Sequence, residues 1–590
     1  MKTIRLAPLG VLFGCVLAAL LLSASVAGAS PTVQANPVPT LVPPTLVPAN
    51  EASVIDALPA ESGIARIQRE GKVRIGILFN EPFFGELGVR CCDVTGFDAD
   101  LARALAETWG VELQGVQVTR QTGIDMVVSG QIDLLIAAQP HMRSLDSRVE
   151  FSQGYYPGSQ SILVRDGDGA TELAHMANRI VGVVAGTRGE TAVAEWLNRV
   201  DYPVSVQTFY TLDQAVGALR ASQIDGVVSE RIRLARYIAQ PSDGRIVEEP
   251  VQQEHYAIAM QRQDANLRNL VNRTLQYLYE TDRLNQIHKN IFGGVNYPDA
   301  QFIHWLNIGS EAPQLSQFST DIPLPGAYVV ARLQTDHQIR VAGLVSLPDD
   351  ATESQRRADQ LNRLIVNAMA ERWQVTVIDL DDNGQNPIDL VANGQADIGI
   401  GVSPDWAAIN QVDFTGYYLM HGYRLMVERA ANIAGIGDLR GKWIGVFSDD
   451  PGARDLFAAR AQAENVLIND FFSVGREVDA AYGMLVDNNY DALFADSLRL
   501  IPHVEANPDT LTLTTNADGS GVYFTRSYNA MAVPRNDIDF RLLVDYTLQE
   551  LARDGTLQGF LGPVMMPNDI PRFEIWPGPS DTLGFNLDNR

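Results

Sequence analysis

Short apolar runs alternate with longer amphipathic segments along most of the chain. Val73–Leu78, Asp133–Ala137 and Ile180–Val184 are apolar runs of strand length. After Asp98, apolar residues recur at every fourth position as far as Trp109, which predicts a helix. Strands that alternate with helices are typical of mainly parallel sheets covered by helices on both faces. The sequence therefore predicts an α/β protein.

The landmarks of the first part recur about 264 residues later. Trp109–Leu113 recurs at Trp373–Val377, Gly130–Asp133 at Gly394–Asp397, Phe151–Tyr156 at Phe414–Tyr418, Val181–Val183 at Ile444–Val446, and Asp225 at Asp491. A period this long indicates a duplicated domain, because solenoid repeats are about 20–50 residues long. We predict domains at 62–293 and 337–565, a proline-interrupted linker at 294–336, and a tail at 566–590.

The N-terminal residues predict export. A basic start precedes the apolar run Leu6–Leu22, and Ala27–Ala29 has the small residues of a signal-peptidase site. We predict a signal peptide at 1–29 and a semi-rigid, proline-rich linker at 30–61. No later run approaches the roughly 18–20 apolar residues of a spanning helix. The mature chain is expected in the periplasm or outside the cell, and membrane contact is expected only through the N-terminus, if the signal stays uncleaved.

Charge and composition exclude several function classes. The formal net charge is −26, and no basic stripe offers a surface for nucleic acid. The histidines have no metal-ligand spacing, no catalytic or phosphate-binding motif is complete, and no cofactor is expected. Cys91 and Cys92 are adjacent, and either two thiols or a strained disulfide fits them.

Six short motifs in the first domain occur in a characteristic order. They are Gly71–Gly76, Pro82–Phe83, Gly96–Ala102, Ser129–Asp133, Phe151–Tyr155 and Val181–Glu190. Together they resemble the family 3 extracellular solute-binding proteins, the polar amino-acid-binding components of ABC importers. The resemblance implies two tandem periplasmic-binding-protein-like domains, the second divergent. Each would have two α/β lobes joined by a two-segment hinge, with the ligand in the cleft between the lobes.

The resemblance also implies roles for residues of the first domain. Phe83 would form a wall of the cleft, although a place in the core fits it as well. Thr187 and Gly189 lie in a strand-to-helix turn whose free N–H groups attract a carboxylate. Glu230 stands where the family has an aspartate that binds the ligand ammonium group.

The arginine that binds the ligand carboxylate is the main departure from the family. Leu145 stands at its position, so we expect the nearby Arg143 to take its role, and the departure leaves the amino-acid assignment open. In the second domain Trp406 matches Arg143, while Asp496 keeps the acidic position. This combination suits a cationic or neutral ligand held by cation–π contact, and it suits equally a domain that binds nothing.

The sequence therefore predicts a binding protein and not an enzyme. The expected function is extracellular binding of a small polar solute, an amino acid, and its delivery to the subunits of an ABC-type permease. One alternative is a surface protein that senses a ligand without transport. A less favoured alternative is a dehydratase-type enzyme on the same fold, with Glu230 as general acid.

Overall fold

The computed structural model describes residues 58–588, apart from residue 60 and the segments 89–92, 295–296, 298–303, 345–346, 348–350, 382–383, 477, 488, 517–518 and 571–572. The predicted signal peptide, most of the predicted proline-rich linker, and Cys91 and Cys92 lie outside the described residues. All described residues belong to one compact unit. Among the helices described, none has the length and apolar character needed to cross a membrane.

The first half of the chain, residues 61–294, contains twelve strands and eight α-helices among its described residues. The strands are Lys72–Leu78, Asn80–Glu81, Gly85–Leu87, Val94–Thr95, Glu112–Val118, Leu134–Leu135, Val149–Val164, Ile180–Val184, Ser205–Phe209, Gly226–Glu230, Arg245–Ile246 and Gln252–Gln261. The helices are Gly63–Glu70, Phe97–Trp109, Gly123–Val128, Arg188–Leu197, Leu212–Arg220, Arg231–Ala235, Ala265–Glu280 and Arg283–Ile291. The predicted helix after Asp98 is present, and Gly110 ends it in the left-handed conformation that glycine favours.

Two long antiparallel strands join two lobes in this half. Val149–Val164 and Gln252–Gln261 pair with each other, with irregular register near Ala257. On one side lie the parallel strands Lys72–Leu78 and Glu112–Val118, with the short strand Leu134–Leu135. On the other side lie three strands in parallel, namely Gly226–Glu230, Ile180–Val184 and Ser205–Phe209. We call these the first and second lobes, and the two long strands the hinge strands.

The second half, residues 329–565, is followed by a C-terminal tail. The strands are Gln338–Ala342, Thr376–Asp379, Ile398–Val402, Val412–Phe414, Leu419–His421, Tyr423–Glu428, Trp443–Phe447, Asp470–Val474, Ala492–Asp496, Leu511–Leu513 and Ser527–Pro534, with Asp581–Thr582 and Phe585–Asn586 in the tail. The helices are Val329–Asp336, Glu353–Trp373, Pro387–Ala392, Pro451–Ala463, Val478–Val486, Ser497–Ala506, Ile538–Arg553 and Thr556–Leu561. The α/β class predicted from the sequence is confirmed.

The strand order of the second half repeats that of the first. Gln338–Ala342 lies between the parallel strands Thr376–Asp379 and Ile398–Val402, and Ser527–Pro534 follows antiparallel, like the second hinge strand. A separate five-stranded sheet has Trp443–Phe447 near its centre, in the same order as the second lobe. The chain breaks its strand after Phe414, so these two sheets are separate where the first half has one continuous sheet.

Equivalent buried hydrogen bonds stabilise both halves. The indole N–H of Trp109 donates to Thr274 Oγ1 at 2.9 Å, and that of Trp373 donates to Thr547 Oγ1 at the same distance. A buried indole needs such a partner, since an unsatisfied polar group is costly in the core. The repeated Trp in the sequence thus marks a repeated contact between two helices.

Charged side chains join the two halves. Arg268 of the first half donates to Asp413 of the second at 2.5 Å and to Glu150 at 3.2 Å. Arg541 of the second half donates back to Glu150. These side chains are largely buried, and removing one partner of a buried ion pair typically costs about 3–5 kcal/mol. The contacts therefore tie the two halves together firmly.

Candidate functional site

Glu230 lies at the boundary between the lobes of the first half. It ends the strand Gly226–Glu230, opposite Gln160 of the first hinge strand, and only 8% of it is exposed. Three guanidinium groups surround its carboxylate. Arg188 donates to Oε1, Arg120 lies 3.4 Å from the same oxygen, and Arg233 lies 3.1 Å from Oε2.

These cations determine the charge of Glu230. Burial alone would raise the pKa of this carboxyl, but Arg188, Arg120 and Arg233 together outweigh it and lower the pKa below its ordinary value. Glu254 on the second hinge strand differs, because burial raises its pKa and Arg188 and Gln160 only partly offset the effect. The site thus contains one well-compensated carboxylate and one that another cation would stabilise.

The turn between Ile180–Val184 and Arg188–Leu197 faces this cluster. Thr187 is the N-cap of the helix and is exposed, and its hydroxyl donates to the carbonyl oxygen of Val184 at 2.7 Å. Gly189 is buried, and a Cβ atom there would come within 3.2 Å of Gln160 Oε1 and of a backbone oxygen. Only glycine therefore fits without displacement. Gln160 Oε1 is buried without a hydrogen-bond partner among the described residues.

Glu81 completes an ion-pair network that connects the two lobes. Glu81 of the first lobe accepts from Arg233 of the second lobe at 2.8 Å and from Arg120 at 2.8 Å. Arg188 Nε lies 3.2 Å from Glu254 Oε2. Three guanidinium groups thus alternate with three carboxylates and connect both lobes and the hinge. The sequence analysis did not single out Arg120, Arg233, Glu81 or Glu254.

Phe83 and Phe84 differ in their surroundings. Phe84 is fully buried in the core, where its ring contacts Tyr156 and Tyr256 edge-on. Phe83 is half-buried, adopts a positive φ of 68°, and stacks on Phe292 with ring centroids 5.9 Å apart. Positive φ is uncommon for a bulky residue and marks a constrained turn. Only Pro82 separates Phe83 from Glu81 of the ion-pair network, and the role of Phe83 as a wall of the cleft stays a prediction.

Arg143 makes its contacts away from this network, contrary to our expectation. It is 5% exposed, and its guanidinium donates to Glu550 Oε1 at 2.6 Å and to Gln549 Oε1 at 2.9 Å, both in the second half. It also lies 4.7 Å from the ring centroid of Tyr546. In this structure Arg143 fixes the contact between the halves, and the guanidiniums at the cleft are those of Arg120, Arg188 and Arg233.

Trp406 occupies the equivalent place in the second half. It is buried, its indole N–H donates to Gln276 Oε1 at 2.7 Å, and its ring lies 4.4 Å from that of Trp305. The match of Trp406 with Arg143 is thus visible in the structure, because each bonds to a glutamine on the long helix of the opposite half. The proposed cation–π contact to a ligand loses its support, since the ring packs against Trp305 between the halves.

Asp496 ends its strand and caps the helix Ser497–Ala506. Its Oδ1 accepts from the N–H of Leu498 at 2.9 Å, and its Oδ2 lies 2.8 Å from His421 Nδ1. Burial alone would lower the pKa of His421, but Asp496 outweighs it and raises the pKa. At the turn equivalent to Thr187, Asp450 accepts from the hydroxyl of Tyr423 at 2.7 Å.

The first-half network can bind a solute that carries both charges, because it presents cationic and anionic groups side by side. Among the residues that the structure describes, no group of three or more histidine, cysteine, aspartate or glutamate side chains could hold a metal ion. The arrangement therefore favours recognition through ion pairs and turn amides.

The first half of the chain is similar in sequence to known proteins. The family model of the bacterial extracellular solute-binding proteins, family 3, matches residues 84–294. The glutamine-binding protein of Geobacillus stearothermophilus is 26% identical over 208 residues, which cover 34% of this chain and 78% of that protein. The ABC transporter glutamine-binding protein GlnH of Bacillus subtilis (strain 168) is 24% identical over 229 residues, 38% of this chain and 83% of that protein. A solved structure of an ancestral arginine-binding protein bound to arginine is 29% identical, with a TM-score of 0.32, and the match covers 38% of this chain and 99% of that chain.

Proposed function

We propose that this chain binds a free amino acid in the cleft of its first half and delivers it to an ABC-type permease. The match of residues 84–294 to the family model of the bacterial extracellular solute-binding proteins, family 3, supports this proposal. The relatives that carry this proposal are named as glutamine-binding proteins, one of them of an ABC transporter. The observation that supports it here is the ion-pair network around Glu230, which joins both lobes.

The network also suggests how the solute binds. A zwitterion brings a carboxylate and an ammonium group together, and the network contains equal numbers of guanidiniums and carboxylates. The solute carboxylate pairs with the guanidinium of Arg188 and accepts hydrogen bonds from the N–H groups of the turn at Gly189. The ammonium group then pairs with the carboxylate of Glu230 or Glu254, so every charged group of the solute and of the network has a partner of opposite charge. The burial that raises the pKa of Glu254 makes it the carboxylate that gains most from an added cation.

The exchange of ion pairs would also couple binding to motion of the lobes. Arg120 links the lobes through Glu230, and Arg233 links them through Glu81. A solute that binds the same groups replaces these links with its own. Such hinge closure around a ligand is a general device of two-lobed proteins.

Calorimetric titration of the intact chain with each common amino acid tests the proposal. We expect one class of amino acid to bind, and Glu230→Gln and Arg188→Lys each to weaken it at least tenfold. Arg179→Lys is the matched control, because Arg179 pairs with Asp168 in the same lobe outside the network. Absence of binding by every amino acid, or affinity unchanged in both cleft variants, would contradict the proposal. Delivery is tested separately, by stimulation of the permease ATPase with solute-loaded protein.

A further inference from the structure

A cavity lies between the two halves, apart from the ion-pair network around Glu230. Its volume is about 150 Å³, and its lining shares no residue with the ion-pair network around Glu230. Aromatic rings form much of its wall, namely Phe151, Trp305, Phe414, Tyr417 and Trp576. A protein cavity of about this volume holds a benzene molecule, so this one suits a ligand of roughly six to eight non-hydrogen atoms.

Two polar atoms at this cavity are buried without a hydrogen-bond partner among the described residues. They are Oε1 of Glu574 and the indole nitrogen of Trp576, both on the C-terminal tail. The tail is held in place here, because the backbone N–H of Trp576 donates to Gln549 Oε1 at 3.1 Å and its ring stacks on His141 with centroids 3.6 Å apart. A buried acceptor and a buried donor without partners are each costly, so their presence points to a ligand that satisfies both.

Asp545 supplies a second carboxylate to the same cavity. Its Oδ1 accepts from the N–H of Gly416 at 2.8 Å. The equivalent residue of the first half, Asn272, makes the same bond to the N–H of Gln153 at 3.0 Å with an uncharged amide. The hydrogen bond therefore needs no charge, and the negative charge of Asp545 is available for another purpose.

The charges around the cavity do not balance. Arg268 and Arg541 line it, but both already pair with Glu150, and Arg268 also pairs with Asp413. The nearest approach of Arg541 to Asp545 is 3.7 Å. Arg535 also interacts with Asp413. Among the described side chains, three guanidiniums thus face the four carboxylates of Glu150, Asp413, Asp545 and Glu574. The set has an excess of negative charge, which a bound cation would neutralise.

We propose that this cavity between the halves binds a small organic cation that also carries one hydrogen-bond acceptor. The cationic group lies between Glu574 and Asp545, within the aromatic wall, where cation–π attraction adds to the ion pairs. The acceptor of the ligand accepts a hydrogen bond from the indole N–H of Trp576. The site is formed by both halves and the tail, so its occupant would stabilise their packing.

Choline is a suitable probe, because it has a quaternary ammonium group, a hydroxyl acceptor and a size that matches the cavity. Its uncharged isostere 3,3-dimethyl-1-butanol has the same shape. On the intact chain we expect choline to raise the melting temperature and to quench tryptophan fluorescence from Trp305 and Trp576. The isostere should bind at least tenfold more weakly. Equal binding of the two probes, or no binding of choline, would overturn the proposal.

Substitutions in the lining test whether choline binds in this cavity. Glu574→Gln and Asp545→Asn keep the side-chain shape, and each should weaken choline binding at least tenfold. Glu248→Gln is the control, because Glu248 is exposed and lies in the second lobe of the first half, and it should leave the affinity unchanged. Retention of full affinity in both cavity variants would overturn the proposal. Amino-acid binding in the cleft should survive Glu574→Gln, which separates this site from the one at Glu230.

Discussion

The buried carboxyl of Asp98 makes the stability of the first half depend on pH. Asp98 is fully buried at the start of its helix, where Oδ1 accepts from the Tyr155 hydroxyl at 2.7 Å and Oδ2 accepts from the N–H of Ala138 at 2.7 Å. Both hydrogen bonds favour the charged form, but burial outweighs them and raises the pKa of Asp98 to about 7. In the unfolded chain an aspartate has a pKa of about 3.9.

The sign of the effect follows from proton binding. Between these two pKa values the folded chain holds a proton on Asp98 that the unfolded chain has released, so stability falls as the pH rises through this range. A difference of about three pH units corresponds to about 4 kcal/mol. Asp98→Asn removes the titration. We therefore expect the variant to gain up to about 4 kcal/mol relative to the parent chain between about pH 4.5 and about pH 8.5.

The second half contains the matched control. Asn362 occupies the equivalent place and accepts from the hydroxyl of Tyr418 at 2.5 Å, so an amide already fits this environment. Asn362→Asp should introduce the pH dependence that Asp98→Asn removes. Urea unfolding followed by circular dichroism across this pH range measures both. A stability difference between Asp98→Asn and the parent that stays constant within about 0.5 kcal/mol would refute the reasoning.

Three further predictions concern Arg143 and Trp406, which lie between the halves, and Glu230 of the ion-pair network. Arg143→Met should lower the free energy of unfolding in urea by about 1.5–3 kcal/mol, because Glu550 loses the charged hydrogen bond from Arg143 but keeps its pair with Arg553. The variant should change solute affinity less than about twofold, and a large loss of affinity would show that Arg143 acts at the cleft. Trp406→Phe should cost about 1–3 kcal/mol through the lost hydrogen bond to Gln276, again without an effect on calorimetric affinity. The lowered pKa of Glu230 means that its contribution to stability is present above its ordinary pKa and is lost as the pH falls through the folded value, so Glu230→Gln should flatten the acid limb of the unfolding profile.

Most of the fold of the first half could be predicted from local patterns. The apolar runs Val73–Leu78 and Ile180–Val184 are strands, and the predicted helix ends before Gly110 as expected, although it begins at Phe97 and so includes Asp98. The strand predicted at Asp133–Ala137 is shorter, only Leu134–Leu135. Local pattern succeeds here because burial on a sheet or helix face is a property of nearby residues.

The charged network could be predicted only in part. Arg188 lies inside the turn that the sequence analysis identified, and Arg233 lies on the short helix that starts directly after Glu230, so the local sequence pointed to both. Arg120 had no such signal, because it reaches Glu230 from the other lobe. Arg143 was misplaced for a related reason. Its partners lie about 400 residues away in sequence, and no local pattern shows which surface the other half covers.

The two halves differ most where a solute carboxylate would bind, and this bears on how many solute molecules one chain takes. At the turn of the first half Thr187 and Arg188 begin the helix, whereas Asp450 and Pro451 begin it in the second. Proline has no N–H to donate, and Asp450 places a negative charge where an anion would lie. We therefore expect the second half to reject amino acids, and calorimetry to give one solute per intact chain. A stoichiometry of two, with the second event abolished by Asp496→Asn, would show that the second cleft binds by a different set of contacts.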